Sequence, residues 1–255
     1  MELFLQADTW IALLTLTFLE IILGIDNIIF ISIAAGKLPK NQINKATKIG
    51  LLLAMLFRIL LLMGVSYLIS MKHAFFTINL SWFSAGITGQ SIILILGGLF
   101  LLYKSTSEIR DKVEGIEHND TAKNNKIAKT LGSVIIQIVL IDLVFSFDSV
   151  LTAVGMTNGI NGALTIMITA VIVSMIIMML FATSVGRFVN KHPTIQMLAL
   201  SFLILIGFML ITEGAHLSNT IIFNQHVGAI PKGYLYFAIA FSLGVEALNM
   251  RVRKK

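Results

Sequence analysis

Long apolar runs alternate with short polar stretches along the whole chain. Seven runs, at roughly 9–36, 48–70, 87–104, 129–155, 163–184, 194–213 and 233–250, are about as long as an α-helix needs to cross a bilayer's hydrocarbon core. The ~10-residue alternation of a membrane barrel strand is absent, which argues against a barrel. The pattern therefore predicts an all-α integral membrane protein with seven transmembrane helices in a single membrane domain spanning 1–255. The first and fourth runs are long enough to be tilted or broken. An aromatic-rich stretch, FFTINLSWF (75–83), lies between the second and third runs and reads as an outer interfacial segment.

Composition agrees with this picture. Of the 255 residues, 56% are hydrophobic and 13% charged, where a soluble domain carries about 25% charged residues. The chain has no cysteine, so disulfides, thiolate metal sites and thiol catalysis are excluded. The N-terminal MELFLQAD lacks a positive region, and no cleaved signal peptide is expected. The formal charge is +6, yet no basic patch is interleaved with aromatics, and nucleic-acid binding is not expected.

The placement of the charge says more than its sum. Four Lys lie between the first two runs, six basic residues between Lys104 and Lys129, Arg187 and Lys191 between the fifth and sixth, and four at the C-terminal end. With seven spans these sixteen fall on one side, against Lys72 and Lys232 on the other. The positive-inside rule then places the N-terminus outside and the C-terminus in the cytoplasm. The stretch at about 105–128 is the only sizeable polar one and reads as a cytoplasmic linker, partly helical.

One acidic phrase occurs twice inside apolar sequence, as Glu20-Ile-Ile-Leu-Gly-Ile-Asp26-Asn27 and as Asp142-Leu-Val-Phe-Ser-Phe-Asp148-Ser149. An ionisable residue at membrane depth is expensive and marks a functional site by default. The duplication sets the first run against the fourth. Three spans per unit is an odd number, so the second unit (about 129–213) enters the membrane opposite to the first (about 9–104). This is an inverted repeat with one extra helix at about 233–250, an arrangement that places a substrate site at the midplane between repeats.

On an ideal helix six residues leave two carboxylates ~120° apart in azimuth and ~9 Å apart along the axis. Unwinding near Gly24 and Ser146 would change that and free carbonyls as ligands. Glu20, Asp26, Asp142 and Asp148, with Asn27 and Ser149 as neutral oxygens, would then form a set suited to Mg²⁺, Ca²⁺ or Mn²⁺. Four negative charges exceed those of one divalent cation, so some must be protonated or paired with a base in at least one state. Arg58, in LLAMLFRILLL, is the intramembrane counter-charge. Exchange of protons for metal follows as an expectation. Glu213 and Glu246, near the ends of the sixth and seventh runs, are candidates for the proton path or for charge partners, with an interfacial role equally open. Gln90 and Gln137 read as interhelical glue. His73, His118, His192 and His226 have no metal spacing.

The paired motifs, Glu20-x-x-Leu-Gly-x-Asp26-Asn27 and Asp142-x-x-Phe-Ser-x-Asp148-Ser149-Val150, resemble those of the TerC family of integral membrane proteins, named for tellurium resistance. The stretch IPKGYLYFAIAFSLGVEALN (230–249) is similar to that family's last helix. The resemblance covers essentially the whole chain. It implies a seven-span protein of the bacterial cytoplasmic (inner) membrane, within the wider LysE-type transporter superfamily, associated with Mn²⁺ efflux and with supplying metal to exported proteins. It carries the acidic positions over to Glu20, Asp26, Asp142 and Asp148. No appended regulatory domain is expected after residue 255.

The expected function is secondary transport: export of Mn²⁺, or a similar divalent cation, driven by the proton gradient. No Walker-type motif is present to use ATP, and no tightly bound cofactor is expected. The partners are the divalent ion and the lipid bilayer, with secretion machinery as a further candidate and oligomeric state open. An intramembrane aspartyl protease is the enzymatic rival, but its Gly-x-Gly-Asp signature is missing, since Leu23-Gly24-Ile25-Asp26 stands in its place. The alternatives from other classes are a metal-delivery or scaffold protein that assists metalation of exported proteins, and a tellurite-resistance factor.

Overall fold

A computed structural model describes residues 7–114, 130–157, 160 and 162–252. Among these, seven helices are long and apolar enough to cross a membrane, as the pattern predicts. They are α1 (Ala7–Ala35), α2 (Lys40–Met63), α4 (Gly89–Val113), α5 (Leu131–Met156), α6 (Ala163–Lys191), α7 (Pro193–Leu217) and α8 (Lys232–Val252). A short α3 (Val65–Ser70) follows Gly64 at the end of α2. The chain's three prolines all sit at helix starts: Pro39 caps α2, Pro193 opens α7, and Pro231 precedes α8. There the missing N–H has no intrahelical partner to lose and the fixed φ suits the first turn. The Thr88 and Ser91 side chains cap one another's backbone N–H groups at the head of α4.

Three differences from the expected pattern have physical causes. First, α1 and α5 are unbroken through Gly24 and Ser146. A helix in hydrocarbon satisfies its own backbone, and a break needs other partners for the freed groups. The small residues serve contacts instead, as described below. Second, α4 runs on through Val113, past the expected end of the third run at 104, and the linker, read as partly helical, begins as helix. Its Ser105–Val113 segment contains neither Gly nor Pro and carries the i,i+4 pairs Lys104–Glu108 (3.2 Å) and Arg110–Glu114 (2.8 Å). The rest of that linker, 115–129, lies outside the described residues. Third, α6 extends to Lys191, which puts Arg187 and Lys191 in its last turns, with only His192 before α7.

The described chain divides into two compact units. The first, from 1–69 and 127–191, holds α1, α2, α5 and α6. Here α1 packs along α6 and α2 along α5, with further contacts of α2 with α6 and of α1 with α5. The core is apolar and includes Leu16, Phe30, Leu51, Ile138, Ile141 and Met175. Exchanging α1 with α5 and α2 with α6 maps these four pairings onto themselves, while α1 also touches α2.

The second unit, from 70–126 and 192–255, is built on the pair α4 and α7, with α8 against α7. Gly98 and Gly207 face each other: a Cβ on either would come within 2.5–3.0 Å of the other's carbonyl oxygen. This unit also contains a small antiparallel sheet in the order β1 (Ala74–Asn79), β2 (Phe83–Thr88), β3 (Ile221–Ile222), β4 (Gln225–His226). The β3–β4 hairpin turns through Phe223 and Asn224, both at positive φ (48° and 63°), as the twist of a two-residue turn requires. The Trp82 carbonyl accepts from the Phe223 N–H, and the two rings lie 6.1 Å apart.

Candidate functional site

The first members of the two acidic phrases meet in the first unit. Glu20 on α1 and Asp142 on α5 are each 3% exposed. Both bond to the guanidinium of Arg58 on α2, itself 2% exposed: Nη1 donates to Glu20 Oε2, and Nη2 to Asp142 Oδ1 at 3.1 Å. Nε donates to Ser146 Oγ at 2.8 Å. The Ser146 hydroxyl donates in turn to Asp142 Oδ2 at 2.9 Å, one helical turn back on α5. Asn27 Nδ2 donates to Asp142 Oδ1 at 3.2 Å. Ser146, read from sequence only as a candidate break, is therefore a hub, and its hydroxyl both accepts and donates within the network.

The electrostatics follow from the burial. An isolated charge in this setting would cost several kcal/mol in lost hydration. One guanidinium and two carboxylates largely offset one another, and the planar donor fork of Arg reaches several acceptors at once. One oxygen is left over. Asn27 is 3% exposed, and its Oδ1 has no hydrogen-bond partner among the described residues, although the amide lies against Asp142. A buried acceptor without a donor is unfavourable, and a cation is one group that would satisfy it.

The remaining expected residues fall elsewhere. With α5 continuous, Asp148 stands ~120° in azimuth from Asp142. Asp148 is half-buried, and its carbonyl accepts from Thr152 Oγ1. The side chain of Asp26 lies outside the described residues. Ser149 is buried, and its hydroxyl donates to the Ser146 carbonyl at 3.2 Å. Among the described residues no three His, Asp or Glu side chains gather as a metal cage. Glu213 and Glu246 belong to the second unit. Thr194 Oγ1 donates to Glu246 Oε1 at 2.6 Å, beside a cleft lined by Pro193, Met197, Phe241 and Ser242. The sequence reading passed over Glu108. It is 2% exposed within the second unit and bound to Lys104, and their i,i+4 spacing was the available signal.

The small residues of the two phrases have matching neighbours. A Cβ at Gly24 would collide with Met178 Sδ on α6, while Ser146 is bonded by Arg58 on α2. Beside the network, an apolar cleft of about 240 Å³ is lined by Phe57, Leu60, Leu61, Gly64, Tyr67, Leu68 and Leu143. Phe57 and Leu143 are the chain neighbours of Arg58 and Asp142.

Seven membrane-length helices and a buried network of opposite charges at membrane depth define a polytopic α-helical membrane protein with an ionic core. The chain belongs to the TerC family of integral membrane proteins, whose family pattern matches residues 5–255. It is 44% identical over 247 residues to a UPF0053 protein of Haemophilus influenzae, covering 97% of this chain and 95% of that one. It is 45% identical over 248 residues to the UPF0053 inner membrane protein YgdQ of Escherichia coli, with the same coverage. The longer UPF0053 inner membrane protein YoaE of E. coli is 42% identical over 254 residues, matched by all of this chain and over 45% of its own length. No solved structure matches the chain.

Proposed function

We propose that this protein is a secondary transporter, not an enzyme, and that it exports Mn²⁺ or a closely similar divalent cation across the bacterial cytoplasmic membrane in exchange for protons. The observation that carries the reading is the meeting of Glu20 and Asp142. They hold equivalent positions in a duplicated phrase and come from different helices to one buried point. A purely structural salt bridge needs one carboxylate for one arginine. Two carboxylates, an amide oxygen without a donor, and Asp148 six residues on provide the hard oxygen ligands a divalent cation takes. Asp26, Asn27 and Ser149 complete the proposed ligand set.

The exchange symmetry of the helix packing supports an inverted repeat, in which α1, α2 and α4 correspond to α5, α6 and α7. The first unit pairs α1 with α6 and α2 with α5, and the second pairs α4 with α7. The mutual approach of Gly98 and Gly207 is what a local two-fold relation produces. Efflux is the direction proposed because the family resemblance implies it, with the N-terminus proposed to lie outside and the basic loops in the cytoplasm.

The test is Mn²⁺ flux in proteoliposomes under an imposed pH gradient, with Ca²⁺, Mg²⁺ and Zn²⁺ in parallel and Asp26→Asn and Asp148→Asn as controls. Gradient-dependent Mn²⁺ flux, lost in both variants, is expected. Stoichiometric binding without flux would instead assign the protein to metal delivery or a scaffold role. Normal flux in either variant would remove the carboxylates from the mechanism.

A further inference from the structure

Arg58 and Met178 hold equivalent places. The exchange of α1 with α5 and α2 with α6 carries Gly24 onto Ser146. Met178 on α6 is seated on Gly24 as Arg58 on α2 is bonded to Ser146, so the two side chains stand against corresponding residues of the two phrases. The duplicated frame thus has two copies of one seat, filled once by an apolar thioether and once by a guanidinium. Both side chains are long and unbranched, and both are buried, at 3% and 2% exposure. Packing alone is therefore met by Met in one copy, and the charge of Arg58 is additional to what the frame needs.

That charge sits on the ligand set proposed above. The guanidinium bonds Glu20, Asp142 and Ser146, and Asn27 holds the same Asp142 oxygen. Asn27 Oδ1, buried and without a donor, is the acceptor the guanidinium does not fill. A diffuse monovalent group has bound most of the oxygens here and left one lone pair spare.

We propose that Arg58 is a tethered cation that occupies the divalent-ion site and must leave it before the ion binds. This rests on the transport reading. Without metal the guanidinium offsets one of the two carboxylate charges and hydrogen-bonds both in hydrocarbon. When Mn²⁺ arrives, the two cations compete for Glu20 and Asp142, and Asn27 Oδ1 gains the partner it lacks. Apparent affinity is then reduced by the fraction of time the arginine is in place.

The experiment is calorimetric titration of the purified full chain in detergent with Mn²⁺, comparing wild type, Arg58→Met, Ser146→Ala and Asp142→Asn. Arg58→Met copies the seat of Met178. It is expected to bind Mn²⁺ at least about tenfold tighter, as removal of a competitor present about nine-tenths of the time requires. Ser146→Ala removes the oxygen to which Nε donates and, being a small change, keeps the fold. It loosens the guanidinium and is expected to raise affinity several-fold on the same grounds, whereas Asp142→Asn is expected to lose binding. If Arg58→Met does not fold, Ser146→Ala decides. Equal or weaker Mn²⁺ binding by the folded variants, with wild type still binding, overturns the tethered-cation proposal and leaves transport standing. No Mn²⁺ binding by any of the four overturns both.

Discussion

The α4–α7 pair and the helix pairs of the first unit use glycine differently. Between α4 and α7 glycine meets backbone as well as side chain: Gly98 and Gly207 face each other's carbonyls, and a Cβ at Gly214 would lie 2.9 Å from the Ser91 carbonyl oxygen and 2.8 Å from Ile95 Cγ1. In the first unit glycine meets side chain: Gly24 faces the Met178 thioether, Gly50 faces Ile138 (2.8 Å to Cγ2 from a Cβ), and Gly186 faces the Ser32 hydroxyl (2.9 Å). Backbone against backbone, as in close-packed membrane helix pairs, offers no rotamer to adjust. A side chain over glycine can swing. The polar network lies in the unit whose glycines meet movable side chains, and the cation exchange proposed above calls for that freedom.

Five substitutions would break or sharpen this contrast. Asp142→Asn acts on the network itself and should have the largest effect. Removing one charge from a buried pair costs about 3–5 kcal/mol, so thermal unfolding in detergent should fall steeply and Mn²⁺ flux should drop to the protein-free background. Gly98→Ala should come next. Its Cβ meets the Gly207 carbonyl oxygen at 2.5 Å, and overpacking of this kind costs about 1–3 kcal/mol. Gly50→Ala, whose Cβ meets the movable Ile138, should lower the melting temperature much less. Equal shifts would erase the distinction between the units. Thr88→Ala removes the cap of α4 and should cost about 1 kcal/mol, read by the same melting curve. Thr194→Val removes the bond to Glu246 and should be the mildest, near the ~0.6 kcal/mol average for interhelical bonds in membranes, with flux unchanged. A large flux loss there would put Glu246 on the ion path.

Much of the fold was legible because hydrocarbon imposes one rule on every span. Each apolar run closes its own backbone as helix, and the seven runs became α1, α2 and α4 to α8. The small sheet was not legible. Its strands are two to six residues long, and β2 pairs with β3 across more than 130 residues of sequence, so no local periodicity announces it. Within the site, Arg58 and the acidic phrases stood out because charge in apolar sequence has no neutral explanation. The role of Ser146 did not. A serine four residues after an aspartate reads equally as a helix weakness or as a hydrogen-bond relay, and only the position of Arg58 on a neighbouring helix decides between them. Gly24 was ambiguous for the same reason, since its partner Met178 is 154 positions away. The continuity of α1 and α5 follows once both residues have partners, since neither is then required for a break.

The bond between Arg58 and Asp142 also bears on how the chain is made. The two residues are 84 positions apart, so α2 leaves the ribosome well before α5 exists. An arginine at the centre of a span opposes insertion by about 2.5–3.5 kcal/mol. Glu20, already synthesised, is the first partner able to relieve it, and Asp142 and Ser146 arrive only with the second half. Until then Glu20 alone faces the arginine, and part of the guanidinium's donor fork waits for its partners on α5. The same guanidinium would thus act during biosynthesis as a recruiting point for α5, and co-expressed halves of the protein should assemble through it.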